Sequence, residues 1–155
     1  MSTARSHTGF TLIEMMVALL IAAIVMTAGV PALQSMVRRQ RLVSAANDFF
    51  HAAHLTRATA LRYGNSATMQ PPETRNWRHG WEIWVDNKLV MTRPALHEGI
   101  SVTYNNRKEN LIYDAQGMTT DKGTWAFKDG DNERRIIINF LGRIRMCDPA
   151  RKGSC

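Results

Sequence analysis

From Phe10 to Val30 the chain is apolar at almost every position, interrupted by Thr11, Glu14 and Thr27. As an α-helix this stretch of about 21 residues is roughly 32 Å long, enough to cross the hydrocarbon core of a bilayer. The apolar centre of a secretory signal peptide is shorter. Pro31 removes one helical hydrogen bond, and because the pattern resumes beyond it, a bend is expected there rather than an end. Leu42, Ala46, Phe49, Ala53, Thr56, Ala60 and Tyr63 then recur at alternating intervals of four and three, which is one face of a helix. The alanines on that face let a sheet approach closely, with Phe49 and Tyr63 filling the gaps. Gly64-Asn65 supplies the stop.

After residue 65 the period changes to short strands. Ser66–Gln70 alternates weakly before Pro71-Pro72. Trp81–Val85 and Lys88–Met91 flank Asp86-Asn87, a two-residue hairpin turn. Ile100–Tyr104, Leu111–Tyr113 and Thr124–Lys128 follow between Asn, Asp and Gly clusters. Arg134–Phe140 and Arg143–Cys147 surround Leu141-Gly142 and read as a last hairpin. The expected class is α+β: a long N-terminal membrane-spanning helix whose later part packs on an antiparallel β-sheet. Trp77, Trp81 and Trp84 are expected in the core rather than on a ligand platform.

Glu14 is the anomaly in the apolar run. An ionised side chain in hydrocarbon costs about 2.5–3.5 kcal/mol on insertion scales, so such a residue has a partner or a task. A polar leader, Met1–Gly9, precedes it. Gly9-Phe10-Thr11-Leu12-Ile13-Glu14 closely resembles the processing site of type IV prepilins and secretion pseudopilins. The resemblance implies cleavage between Gly9 and Phe10 by a prepilin peptidase, methylation of the new N-terminus, and pairing of Glu14 with the α-amine of a neighbouring subunit during assembly. His54-Leu55-Thr56-Arg57-Ala58-Thr59-Ala60-Leu61-Arg62, Trp77-Arg78-His79-Gly80-Trp81 and Gly142-Arg143-Ile144-Arg145 resemble segments of the GspH/FimT group of minor pilins and pseudopilins. The implied fold is the type IV pilin-like one. It divides the chain into leader 1–9, transmembrane and assembly helix 10–36, and a periplasmic domain 37–155. That domain comprises helix 37–63, sheet 66–147 and a C-terminal loop 147–155.

Arg38, Arg39 and Arg41 crowd the far side of the apolar helix, which by charge counting favours the inverted topology. The resemblance and the cysteines place the C-terminal domain outside instead: in the inner membrane with one pass, and extracellular once in a filament. In an exported protein the close pair Cys147 and Cys155 reads as a disulfide, worth about 2.6 kcal/mol on the loop-entropy model. Two unrelated thiols are the alternative. No zinc-type spacing is present. His51 and His54 lie one turn apart without a third ligand. Asp129-Gly130-Asp131-Asn132-Glu133 opens like a calcium loop but lacks the glycine at the sixth position and the glutamate at the twelfth, and reads as a turn. No cofactor is implied, and no nucleophile–base pair, phosphate loop or carboxylate dyad stands out, so the chain reads as a non-enzyme.

The formal charge is +7 over 155 residues, and residues 134–155 hold six basic residues against Asp148 alone. In the FimT branch a Gly-Arg-x-Arg motif is implicated in binding DNA during natural transformation, and the resemblance transfers that role to Gly142, Arg143 and Arg145. On a strand, residues two apart face the same way, roughly 6.7 Å apart. Both guanidiniums then address one phosphate backbone while Ile144 turns inward. Arg151 and Lys152 extend the patch, and Arg134 and Arg135 lie on the partner strand. Such binding is sequence-independent and salt-sensitive. Exposed arginines also deter edge-to-edge aggregation. Two other readings therefore stay open: a GspH-like pseudopilin of a type II secretion system, and a pilus-priming minor pilin that binds no DNA. The expected partners are other pilins, prepilin peptidase, inner-membrane lipid and DNA.

Overall fold

The computed structural model describes residues 10–72, 76–105, 110–151, 153 and 155. Helix α1 runs over Leu12–Tyr63 and continues through Pro31. The chain divides into two compact units, up to Val37 and from Arg38 to Cys155. In the first unit every large apolar side chain from Phe10 to Val37 is exposed. A helix that is apolar all round belongs in lipid or among other helices, and this one is long and apolar enough to cross a membrane.

In the second unit, residues 38–63 of α1 bury Leu42, Ala45, Ala46, Phe49, Ala52, Ala53, Thr56, Thr59 and Ala60. Thr56 is tolerated there because its hydroxyl donates to the carbonyl of Ala52, at 2.8 Å. Tyr63 departs from expectation: it is 56% exposed, with the Arg62 guanidinium 5.8 Å from its ring centre. The core ends one turn earlier, at Ala60, and Gly64 then leaves the helix in the left-handed region, at φ 65°.

Eight strands follow: β1 (Ala67–Gln70), β2 (Trp81–Val85), β3 (Lys88–Arg93), β4 (Ser101–Tyr104), β5 (Leu111–Tyr113), β6 (Gly123–Asp129), β7 (Asn132–Ile138) and β8 (Ile144–Cys147). They make two four-stranded antiparallel sheets, in the orders β3-β2-β1-β5 and β4-β6-β7-β8. The single sheet of the sequence reading becomes two because the chain leaves the first sheet after β3 and returns to it with β5. Asp86 and Asn87 take φ values of 46° and 60°, both positive, as a type I′ hairpin requires. Gly130-Asp131 closes the β6–β7 hairpin, with Asp129 opposite Asn132.

The core is aromatic. The ring of Phe49 lies 5.3 Å from those of Trp77, Trp81 and Trp125 and 5.4 Å from that of Phe127. Trp77 and Trp81 are therefore core residues. Trp84 is half-buried, and its indole donates to Glu82 at 2.9 Å.

Candidate functional site

At its N-terminus α1 is capped by its own sequence. The backbone N–H of Thr11 donates to Glu14 Oε2 at 3.0 Å, and the Glu14 N–H donates to Thr11 Oγ1 at 3.3 Å. The Thr11 hydroxyl also donates to that carboxylate, at 3.0 Å. This is a capping box, and its signature, a threonine three residues before a glutamate, was present in the sequence but not read there. Phe10 is exposed just before the helix. Gly9 lies outside the described residues.

The basic C-terminal region is built on the β7–β8 hairpin. The Gly142 N–H donates to Asn139 O at 2.9 Å, the Asn139 N–H to Arg143 O at 3.2 Å, and the Arg143 N–H to Asn139 Oδ1 at 2.9 Å. The strands are shorter than expected. β7 stops at Ile138 and β8 starts at Ile144, so Arg143 belongs to the turn rather than the strand. Alternation still holds: Arg143 and Arg145 are exposed and Ile144 is buried. Among the described residues neither guanidinium has a carboxylate partner.

The other expected cations are less free. Ile136 and Ile138 face inward, so Arg134 lies on the same, inner face nearer the start of β7. It pairs with Asp148 at 2.9 Å, and both side chains are only 14% exposed. Arg135 faces outward, but Glu133 accepts from its Nε at 2.5 Å and lies 3.3 Å from Lys128. Arg135 foremost, and then Lys128, hold the Glu133 carboxyl below the usual carboxylate range. Arg151 is exposed, 3.8 Å from Asp148. Lys152 lies outside the described residues. Cys147 and Cys155 are joined by a disulfide.

Arg57, not singled out in the sequence, positions this hairpin. From α1 its Nε donates to Gly117 O at 2.9 Å and its Nη2 to Leu141 O at 3.2 Å. Gly142 has φ 73°, and a Cβ there would stand 2.1 Å from Gly117 O and 3.0 Å from the Tyr113 ring. Only glycine fits. Burial against this turn pushes the Tyr113 hydroxyl well above its ordinary pKa. A lone arginine on an amphipathic helix carries no sequence signal that it reaches a turn more than eighty residues away.

His51 and His54 are both exposed, and partial desolvation, aided by Arg57, holds His54 below the usual histidine pKa. Among the described residues no three His, Cys, Asp or Glu side chains gather as a metal site needs.

A helix with an apolar N-terminal half, followed by antiparallel sheets and a disulfide-closed C-terminus, is the type IV pilin-like fold. The model of the family described as type II transport protein GspH matches residues 45–142, so the chain belongs to the GspH family. The prokaryotic N-terminal methylation motif matches residues 4–30. Among solved structures, the type IV minor pilin FimU of Pseudomonas aeruginosa is similar at TM-score 0.65 and 19% identity, covering 77% of this chain and 98% of FimU. The minor pseudopilin EpsH of the Vibrio cholerae type 2 secretion system is similar at TM-score 0.54 and 16% identity, covering 70% and 97%. No curated protein sequence matches the chain significantly.

Proposed function

We propose that this chain is a minor type IV pilin that binds DNA without regard to sequence, through Arg143 and Arg145, for uptake in natural transformation. The carrying observation is the pair of exposed guanidiniums that meet no carboxylate among the described residues, held on a hairpin that Arg57 ties to the helix. Arg135 shares the outer face with Arg145, with part of its charge already neutralised by Glu133. In this reading the leader is removed between Gly9 and Phe10 and the apolar helix rests in the inner membrane. Glu14 exchanges its local cap for a neighbour's α-amine as the subunit enters the filament, since opposite charges in a low dielectric are better paired than alone. The role is binding and assembly, with no catalytic step.

The test uses the full chain in phosphatidylcholine nanodiscs with a labelled duplex at several salt concentrations. Arg143→Ala with Arg145→Ala should abolish binding at 0.2 M salt and flatten the log–log salt slope by about 1.8, at about 0.9 per lost phosphate contact. Thermal stability should change by less than about 0.5 kcal/mol, because both side chains are exposed. An unchanged affinity would remove the assignment.

The family description and the likeness to EpsH support a second reading, a pseudopilin of a type II secretion system. Deleting the gene separates the two: loss of transformation with secretion intact favours the first, and loss of exoprotein secretion with transformation intact the second. Loss of piliation alone would point to a priming subunit.

A further inference from the structure

The tip of the β7–β8 hairpin has a composition that turn chemistry does not explain. Its central residues are Phe140 and Leu141, 59% and 51% exposed. Such positions favour Pro, Asp, Asn, Ser or Gly, whose side chains preset or cap the turn. Here the turn is closed by other means, through Asn139 and the left-handed Gly142.

The tip is also held in place. Thr119 N–H donates to Phe140 O at 3.1 Å, and Arg57 donates to Leu141 O. Both tip carbonyls are thus tied to the body of the domain, while both side chains remain in solvent. An aromatic ring on a fixed backbone loses little freedom when it meets a flat partner.

Arg143 and Arg145 follow immediately, and their charge selects the partner. An exposed ring three residues before guanidiniums that meet no carboxylate among the described residues matches a polymer that offers flat π-faces and phosphates in regular alternation. Single-stranded nucleic acid is that polymer: bases stack on aromatic side chains while a basic track follows the backbone. In duplex DNA the same faces are covered by their neighbours, and reaching them requires unstacking.

Resting on the DNA-binding reading above, we propose that Phe140, with Leu141 beside it, stacks on unpaired bases of single-stranded DNA while Arg143 and Arg145 hold the adjacent phosphates. The tip adds a preference for exposed bases to a contact that the arginines alone would make with any phosphate backbone.

Full chain in phosphatidylcholine nanodiscs is titrated with labelled dT12 and with an abasic oligomer of equal length and charge. Stacking on one base corresponds to a preference of about 5–150-fold for dT12. Phe140→Ala and Phe140→Leu should bring dT12 down to the abasic affinity while leaving abasic binding unchanged, and Phe140→Tyr should keep the preference. Melting curves confirm that each variant is folded. Equal affinity of the unaltered chain for both probes, or undiminished dT12 binding by Phe140→Ala, overturns the inference and gives the tip to a neighbouring subunit. In that case Arg143→Ala with Arg145→Ala still loses both probes if the DNA-binding reading holds, and loses neither if that reading is also wrong.

Discussion

Two pairs of arginines share the β7–β8 hairpin and differ in electrostatic state. Arg134 and Arg135 sit on a strand whose neighbours supply acids: Asp148 meets the first and Glu133 the second. Arg143 and Arg145 sit at the turn and on β8, exposed, with no carboxylate reaching them among the described residues. Six basic residues in the last 22 are therefore not six equivalent contacts. Counting charge along a sequence measures the field at long range, whereas a phosphate contact needs a guanidinium free to turn toward it. One pair is engaged by acids within the domain, and the other meets no carboxylate among the described residues.

The largest expected effect is on the turn that carries Arg143 and leads into β8. Gly142→Ala places a Cβ 2.1 Å from the Gly117 carbonyl oxygen at a left-handed φ. Backbone strain and overpacking together should destabilise the domain by about 2–5 kcal/mol, measurable by chemical denaturation. Wild-type stability in this variant would show that the hairpin is not braced as described.

Next is Arg134→Ala, which strips a partly buried carboxylate of its close partner and should cost about 1.5–3 kcal/mol. The loss should shrink when Asp148 is also made alanine, because the coupling between the two side chains is then absent from the comparison. The salt slope of DNA binding should stay unchanged, in contrast to its decrease in the Arg143, Arg145 double variant. A shared effect on binding would erase the distinction between the two pairs.

The smallest effect is at Glu133. Its pKa is lowered below the ordinary 4.5 in the folded state, so its contribution to stability is present above about pH 4.5. That contribution is lost as the pH falls through the lowered value. Glu133→Gln should flatten stability against pH in that acidic window, as followed by melting temperature. The same change leaves Arg135 and Lys128 uncompensated on the outer face they share with Arg145, so duplex affinity should rise modestly.

Much of the domain was legible because its signals are local. The helix face from Leu42 to Ala60, the Asp86-Asn87 turn and the strand alternation depend on residues within a few positions of one another. Tyr63 misled because periodicity carries no information about where the opposing sheet ends. The β7 and β8 limits shifted for a similar reason: Asn139 closes the turn with its side chain, which moves Arg143 out of the strand.

The sequence by itself determined the membrane-length helix, its acidic residue near the start, the class of fold and the two arginines flanking Ile144. Each is a matter of composition or short-range spacing, which covalent connectivity fixes before the chain folds. Only the tertiary structure decided which cations are neutralised, that Arg57 reaches across to hold the hairpin, and that Phe140 remains in solvent. Those facts depend on contacts between residues far apart in the chain, and such contacts exist only after the sheets and helix have packed.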